Sequence, residues 1–151
     1  MRTYEIRRET VVPRDRRELF AFFSEAGNLE ELTPDWLRFE VVSEPVEMRR
    51  GARIDYRLKL RGVPVRWTSE ITLWEPPERF VDEQVRGPYR RWRHEHRFEE
   101  RPGATAVFDH VRYAVPGGPF LERPVQRFLV GPDVERIFDH RQRRLEELFG
   151  P

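Results

Sequence analysis

The chain has 151 residues, 36% of them charged, and its 28 Lys and Arg almost balance 27 Asp and Glu, which argues against a general binder of DNA or other nucleic acid. It holds no cysteine, so disulfides, thiolate zinc sites and cysteine nucleophiles are excluded. No apolar run approaches the ~18 residues needed to span a bilayer, and Met1-Arg2-Thr3-Tyr4-Glu5 lacks the apolar stretch of a signal peptide; the expectation is one soluble, cytoplasmic domain over residues 1–151, without stable membrane insertion.

Residues 4–11 read as a strand with Tyr4 and Ile6 on one face. Pro13 then introduces a helix on which Leu19, Phe20, Phe22 and Phe23 share a face, with Asp15 in its first turn and Gly27 as its stop. Asn28, with Glu31 three residues on, resembles a capping box and starts a second short helix that Thr33-Pro34 ends.

Strands follow. After a short one at 39–42, Ile54, Tyr56, Leu58 and Leu60 alternate with Arg53, Asp55, Arg57 and Lys59, which means one buried face and one wet face. In 65–74, Trp67, Ser69, Ile71 and Leu73 oppose Arg66, Thr68, Glu70 and Thr72. Strands 80–86, 89–99 and 105–114 come next, separated by Gly87-Pro88 and Pro102-Gly103. In 89–99, Trp92, His94, His96 and Phe98 share a face; in 105–114, Val107, Asp109, Val111 and Tyr113 do. Beyond Pro116-Gly117-Gly118-Pro119 the period turns helical, and Val134, Ile137, Phe138, Arg141, Leu145 and Leu148 make one stripe to the end. Residues 120–130 form a separate turn or a kinked first half of this helix, interrupted at Gly131-Pro132-Asp133. Strands clustered between helices predict an α+β fold.

This order resembles the helix-grip fold of the START and polyketide-cyclase superfamily, the SRPBCC or birch-pollen-allergen-like proteins. Phe20-Ala21-Phe22-Phe23-Ser24 with Asn28-Leu29-Glu30-Glu31-Leu32-Thr33-Pro34 looks like the helix pair of its bacterial members. Trp67-Thr68-Ser69-Glu70-Ile71, Pro76-Pro77-Glu78-Arg79-Phe80, Trp92–Phe98, Asp109–Tyr113 and Ile137–Arg141 continue the match over nearly the whole chain. The resemblance implies a curved antiparallel sheet of six to seven strands wrapped around the long C-terminal helix, with two short helices after the first strand and a cavity between sheet and helix. It implies binding or transport of a small hydrophobic molecule (a lipid, quinone or polyketide-like compound), or a cyclase, aromatase or dehydratase reaction. Fold alone does not choose between them.

His94, His96 and Asp109 are the polar residues on the face expected to line the cavity, and an imidazole–carboxylate pair there suits acid–base catalysis or orients a ligand. Alternatively, Asp109 accepts from one histidine, or from Arg141, and ties sheet to helix, since a buried carboxylate needs such a partner. Arg141 is the odd residue in an apolar stripe and either snorkels, pairs with Asp109 or meets an acidic head group. Expected ligand contacts are Tyr56, Leu58, Trp67, Ile71, Trp92, His94, His96, Val111, Tyr113, Phe128, Ile137 and Arg141. No third metal ligand stands out beside His94 and His96, and no phosphate-binding loop or Gly-x-Ser-x-Gly elbow is present, so no metal or cofactor is expected. A third alternative is a protein or RNA contact through the arginine-rich outer sheet, against which the interleaved Asp55, Glu70 and Glu95 argue. An uncovered sheet edge or face leaves a homodimer open.

Overall fold

A computed structural model describes residues 2–45 and 47–150; Met1, where the leader reading starts, and Pro151, where the expected domain ends, lie outside them. Seven antiparallel strands form one sheet in the order β1-β7-β6-β5-β4-β3-β2. They are β1 (Tyr4–Val12), β2 (Glu40–Val41), β3 (Arg53–Leu60), β4 (Val63–Glu75), β5 (Arg79–Arg86), β6 (Arg91–Arg101) and β7 (Ala104–Ala114). Helices α1 (Arg16–Phe23) and α2 (Leu29–Leu32) separate β1 from β2, and α3 (Gly118–Val125) and α4 (Gly131–Phe149) follow β7.

Alternation decides which face is dry. In β3, Ile54, Tyr56 and Leu58 are buried while Arg53, Asp55, Arg57 and Lys59 are exposed. The exposed charges pair across the sheet, as in Arg53–Glu70 at 3.0 Å and Arg57–Glu40 at 2.9 Å. β4 keeps this phase only in part. Bulges shift its register to β5 between Thr68 and Ser69 and between Ile71 and Leu73. Past the second bulge Trp74, rather than the expected Leu73, packs against the core.

Two apolar clusters bind the helices to the dry face. In the first, α1 inserts Leu19, Phe20 and Phe23, and ring centroids stand 5.4 Å apart for Phe20–Phe98 and 5.3 Å for Phe23–Phe98. In the second, Val134 and Phe138 of α4 meet Ile6, Val111, Tyr113 and Val115.

The helix ends differ from the sequence expectation. Asp15 caps α1 by accepting from Arg17 N at 2.8 Å, but the stop is Ser24, not Gly27. Asn28 makes no cap; its amide donates to the Phe22 carbonyl at 2.9 Å, and α2 begins one residue later. Gly131-Pro132 does not interrupt the last helix. A wide π-type turn, Gln126–Val130, joins α3 to α4, and Pro132 sits in the first turn of α4.

Candidate functional site

Register brings the polar residues of the dry face together. Opposite residues in antiparallel strands share a face, so the pairings Arg8↔Asp109, His96↔Asp109 and Phe80↔His96 make one row across β1, β7, β6 and β5. The next row is Ile6, Val111, His94 and Asp82. Two histidines and two aspartates thus become neighbours at the centre of the sheet, and α4 places Arg141 against them.

The five side chains interlock. Arg141 Nε donates to Asp109 Oδ2 at 3.0 Å, and His94 Nε2 lies 2.7 Å from Asp109 Oδ1. His96 Nε2 lies 2.6 Å from Asp82 Oδ2, while its Nδ1 stands 3.3 Å from Arg141 Nη2. A guanidinium nitrogen can only donate. His96 therefore offers Nδ1 as acceptor and carries its proton on Nε2, facing Asp82. Aromatic groups seal the set: Phe80 stacks on His96 at 4.1 Å, His94 stacks on His96 at 3.7 Å, and the Arg141 guanidinium lies 5.0 Å from the Phe23 ring centroid.

The charge states follow from these contacts. Burial disfavours a charged His96, and nearby His94 and Arg141 add to this; together they outweigh the Asp82 hydrogen bond and bring its pKa down to about 4. Burial alone would raise Asp109, but the Arg141 charge and the His94 hydrogen bond prevail and hold it well below the usual carboxylate range. Asp82 is likewise lowered against its burial, chiefly by the hydrogen bond from His96.

The cluster forms one end of a cavity of about 150 Å³ between the sheet, α2 and α4. Of the expected contacts, Tyr56, Leu58, Trp67 and Trp92 line its sheet side, and Ile137 and Arg141 its helix side; His94 and His96 are at its polar end. Ile71, Val111 and Tyr113 do not line it; Ile71 packs in the first core cluster, and Val111 and Tyr113 pack in the second. Phe128 is no cavity wall either: it is 65% exposed, on the wide turn ahead of α4. Asp109 does not line the cavity; it bonds to His94 and Arg141, which do.

Sequence reasoning missed Asp82, Ser69, Tyr89 and Phe138, and the walls supplied by Leu29, Leu32, Leu37 and Phe39. The signal for Asp82 was its place two residues after Phe80 on one strand. Ser69 was on the inward side of β4; its Oγ accepts from Trp67 Nε1 at 3.0 Å. Tyr56 and Tyr89 line the cavity, and burial pushes their hydroxyl pKa values up.

Asp82 also supplies the third metal ligand that the sequence did not reveal, since ligand atoms of Asp82, His94 and His96 lie within 4.8 Å of one another. Both His96 nitrogens are already engaged, however, and a divalent ion there would displace the Asp82 hydrogen bond and stand beside the Arg141 guanidinium. The donor set suits charge pairing better than metal binding. Among the described residues, His94 Nδ1 has no hydrogen-bond partner, and it is not sealed from solvent.

A long helix laid on a seven-stranded antiparallel sheet, with short helices closing one end, is the helix-grip fold of the birch-pollen-allergen type. A family model described as polyketide cyclase / dehydrase and lipid transport matches residues 12–140, and the chain belongs to that family. Protein CV1439 from Chromobacterium violaceum is similar in structure, with a TM-score of 0.73 at 13% identity, covering 98% of this chain and 99% of that one. Ginseng major latex-like protein 151 from Panax ginseng gives 0.69 at 11%, covering 99% of each chain. The protein TTHA0849 from Thermus thermophilus gives 0.63 at 24%, covering 96% and 99%. No curated protein matches the sequence. Among the described residues no helix is long and apolar enough to cross a membrane.

The His96 geometry makes a pH prediction. Its folded pKa, about 4, lies below the ~6.5 of an unfolded histidine, so the unfolded chain binds more protons between these values. This stabilisation is complete above pH ~6.5, and about 3 kcal/mol of it is lost as pH falls to about 4. Urea unfolding across that window should show the loss, and a smaller slope for His96→Gln. Equal slopes would contradict the assignment.

Proposed function

We propose that the chain is a binding domain for a small, mainly apolar molecule held between the sheet and α4. The observation that carries this reading is the cavity: aromatic and aliphatic walls lead to one polar end, the arrangement of a ligand site. Its volume of about 150 Å³ matches cavities that take a single aromatic ring. A larger ligand requires α2 or the β3–β4 hairpin to move outward. The charges at the polar end are already paired with one another, so the site favours a neutral molecule whose hydroxyl or carbonyl meets the histidine end. The family and fold point the same way, being those of hydrophobic-ligand-binding and cyclase–dehydrase-type domains.

Trp67 and Trp92 line the cavity, so their fluorescence reports on occupancy. Titration with a series of one-ring compounds should change the emission and raise the unfolding temperature. Leu58→Trp fills the space from β3 and should abolish both responses, at a stability cost of roughly 1–3 kcal/mol. Unchanged binding in Leu58→Trp would remove the ligand from this cavity, and no response to any apolar compound or cell extract would end the reading.

One observation favours a second reading, catalysis of the cyclase or dehydratase kind. The Asp109–His94 pair is at hydrogen-bonding distance, and in the neutral ring the uncommitted Nδ1 of His94 is the lone pair available to take a proton. In such an enzyme, His94→Gln would keep ligand binding and lower kcat by about 100-fold or more, whereas a pure carrier shows no turnover for this variant to lose.

A further inference from the structure

The segment from Gly118 to Val130 is apolar on two sides, and the fold uses only one. Val125 and Val130 pack against the second core cluster, and Gln126 Nε2 donates to the Tyr113 hydroxyl at 2.8 Å. On the outer side Phe120 is 92% exposed, Phe128 65%, Leu121 58% and Leu129 41%. An apolar helix face left in water marks an interaction surface. Arg123, Pro124 and Arg127 are exposed with these residues, and the Arg127 guanidinium lies 5.3 Å from the Phe128 ring centroid. The acid in this stretch, Glu122, accepts from the Arg2 backbone amide at 2.6 Å and keeps its charge, so Arg123 and Arg127 exceed it by one positive charge.

We propose that this face, Phe120, Leu121, Phe128 and Leu129 flanked by Arg123 and Arg127, docks onto an anionic lipid surface. The chemistry selects that occupant. Phenylalanine and leucine side chains enter the boundary between headgroups and acyl chains, while arginine stems reach back to the phosphates. Negative lipid attracts both arginines. A second copy is a poorer occupant, because a two-fold contact sets the same patch against itself and brings like charges together. The backbone supports the geometry: Arg61, at the β3–β4 turn, pairs with Asp133 at 3.0 Å and donates to the Leu129 carbonyl at 3.4 Å, which holds the apolar segment to the start of α4. The cavity walls Ile137 and Phe138 come soon after on that helix. Docking is independent of what the cavity holds.

The test is flotation of the full chain with vesicles of phosphatidylcholine alone and of phosphatidylcholine mixed with phosphatidylglycerol. The wild type should float with the anionic vesicles and release as salt rises. Phe120→Ser/Phe128→Ser should weaken binding by about tenfold or more, and Arg123→Gln/Arg127→Gln should weaken it to a similar degree, at least about tenfold, and remove the preference for anionic lipid. All four residues are exposed, so unfolding midpoints should stay unchanged. Val85→Ser, on an exposed apolar residue in β5, should bind like the wild type. The proposal is overturned if the wild type floats with neither vesicle or equally with both, or if Val85→Ser binds as poorly as the Phe variant. A dimer in sedimentation that Phe120→Ser/Phe128→Ser converts to monomer would assign the face to a second copy instead.

Discussion

Arg141 brings a permanent positive charge into the middle of the protein, and the site is built around that charge. It is 7% exposed, on a helix whose other buried residues are Val134, Phe138 and Leu145 and, at its start, Asp133, which pairs with Arg61. An unpaired guanidinium there would cost several kcal/mol in lost hydration, so Asp109 must meet it, and Asp109 must be ionised. The remaining oxygen of Asp109 then accepts a hydrogen bond from His94 Nε2. Arg141 also points a donor at His96 Nδ1, which leaves His96 one place for its proton, toward Asp82. One buried cation thus orders two carboxylates, fixes one histidine tautomer and orients the other ring.

That order explains how an apolar cavity can end in charged residues whose charges are already matched. Each charge is met by a fixed partner, and Phe23 and Phe80 cover the flat faces of Arg141 and His96. The cavity walls are mostly rings and aliphatic groups, and its charged side chains are already paired with one another. A neutral ligand loses less there than an anion would, because Asp109 already occupies the arginine.

Much of this was legible in the sequence. The alternation of Ile54, Tyr56 and Leu58 with charged residues marked a one-sided sheet, and the exceptions on dry faces (His94, His96, Asp109 and Arg141) are the residues that come together. Asp82 was harder to see, because Phe80 and Val81 are both buried and β5 shows no clean period of two. Leu73 was misplaced because a bulge next to it reverses the phase of β4. Phe128 was misplaced because the π-type turn carries more residues per turn than an α-helix, so Phe128 faces water rather than the sheet. The sequence held the rings and charges in order; register and bulges decided which of them meet.

The account stands on the coupling of Arg141 to Asp109 across the helix–sheet boundary, and a double-mutant cycle measures it directly. Unfolding free energies in urea at neutral pH would be compared for the wild type, Arg141→Met, Asp109→Leu and the double variant. Each single change leaves a buried charge unpaired and should lose about 3–5 kcal/mol, whereas the double variant removes both charges and should lose less than the two losses combined by several kcal/mol. If either single variant fails to fold, recovery of folding in the double variant carries the same meaning. Additive losses would contradict the account, because they would show that the helix and the sheet are held together without this pair.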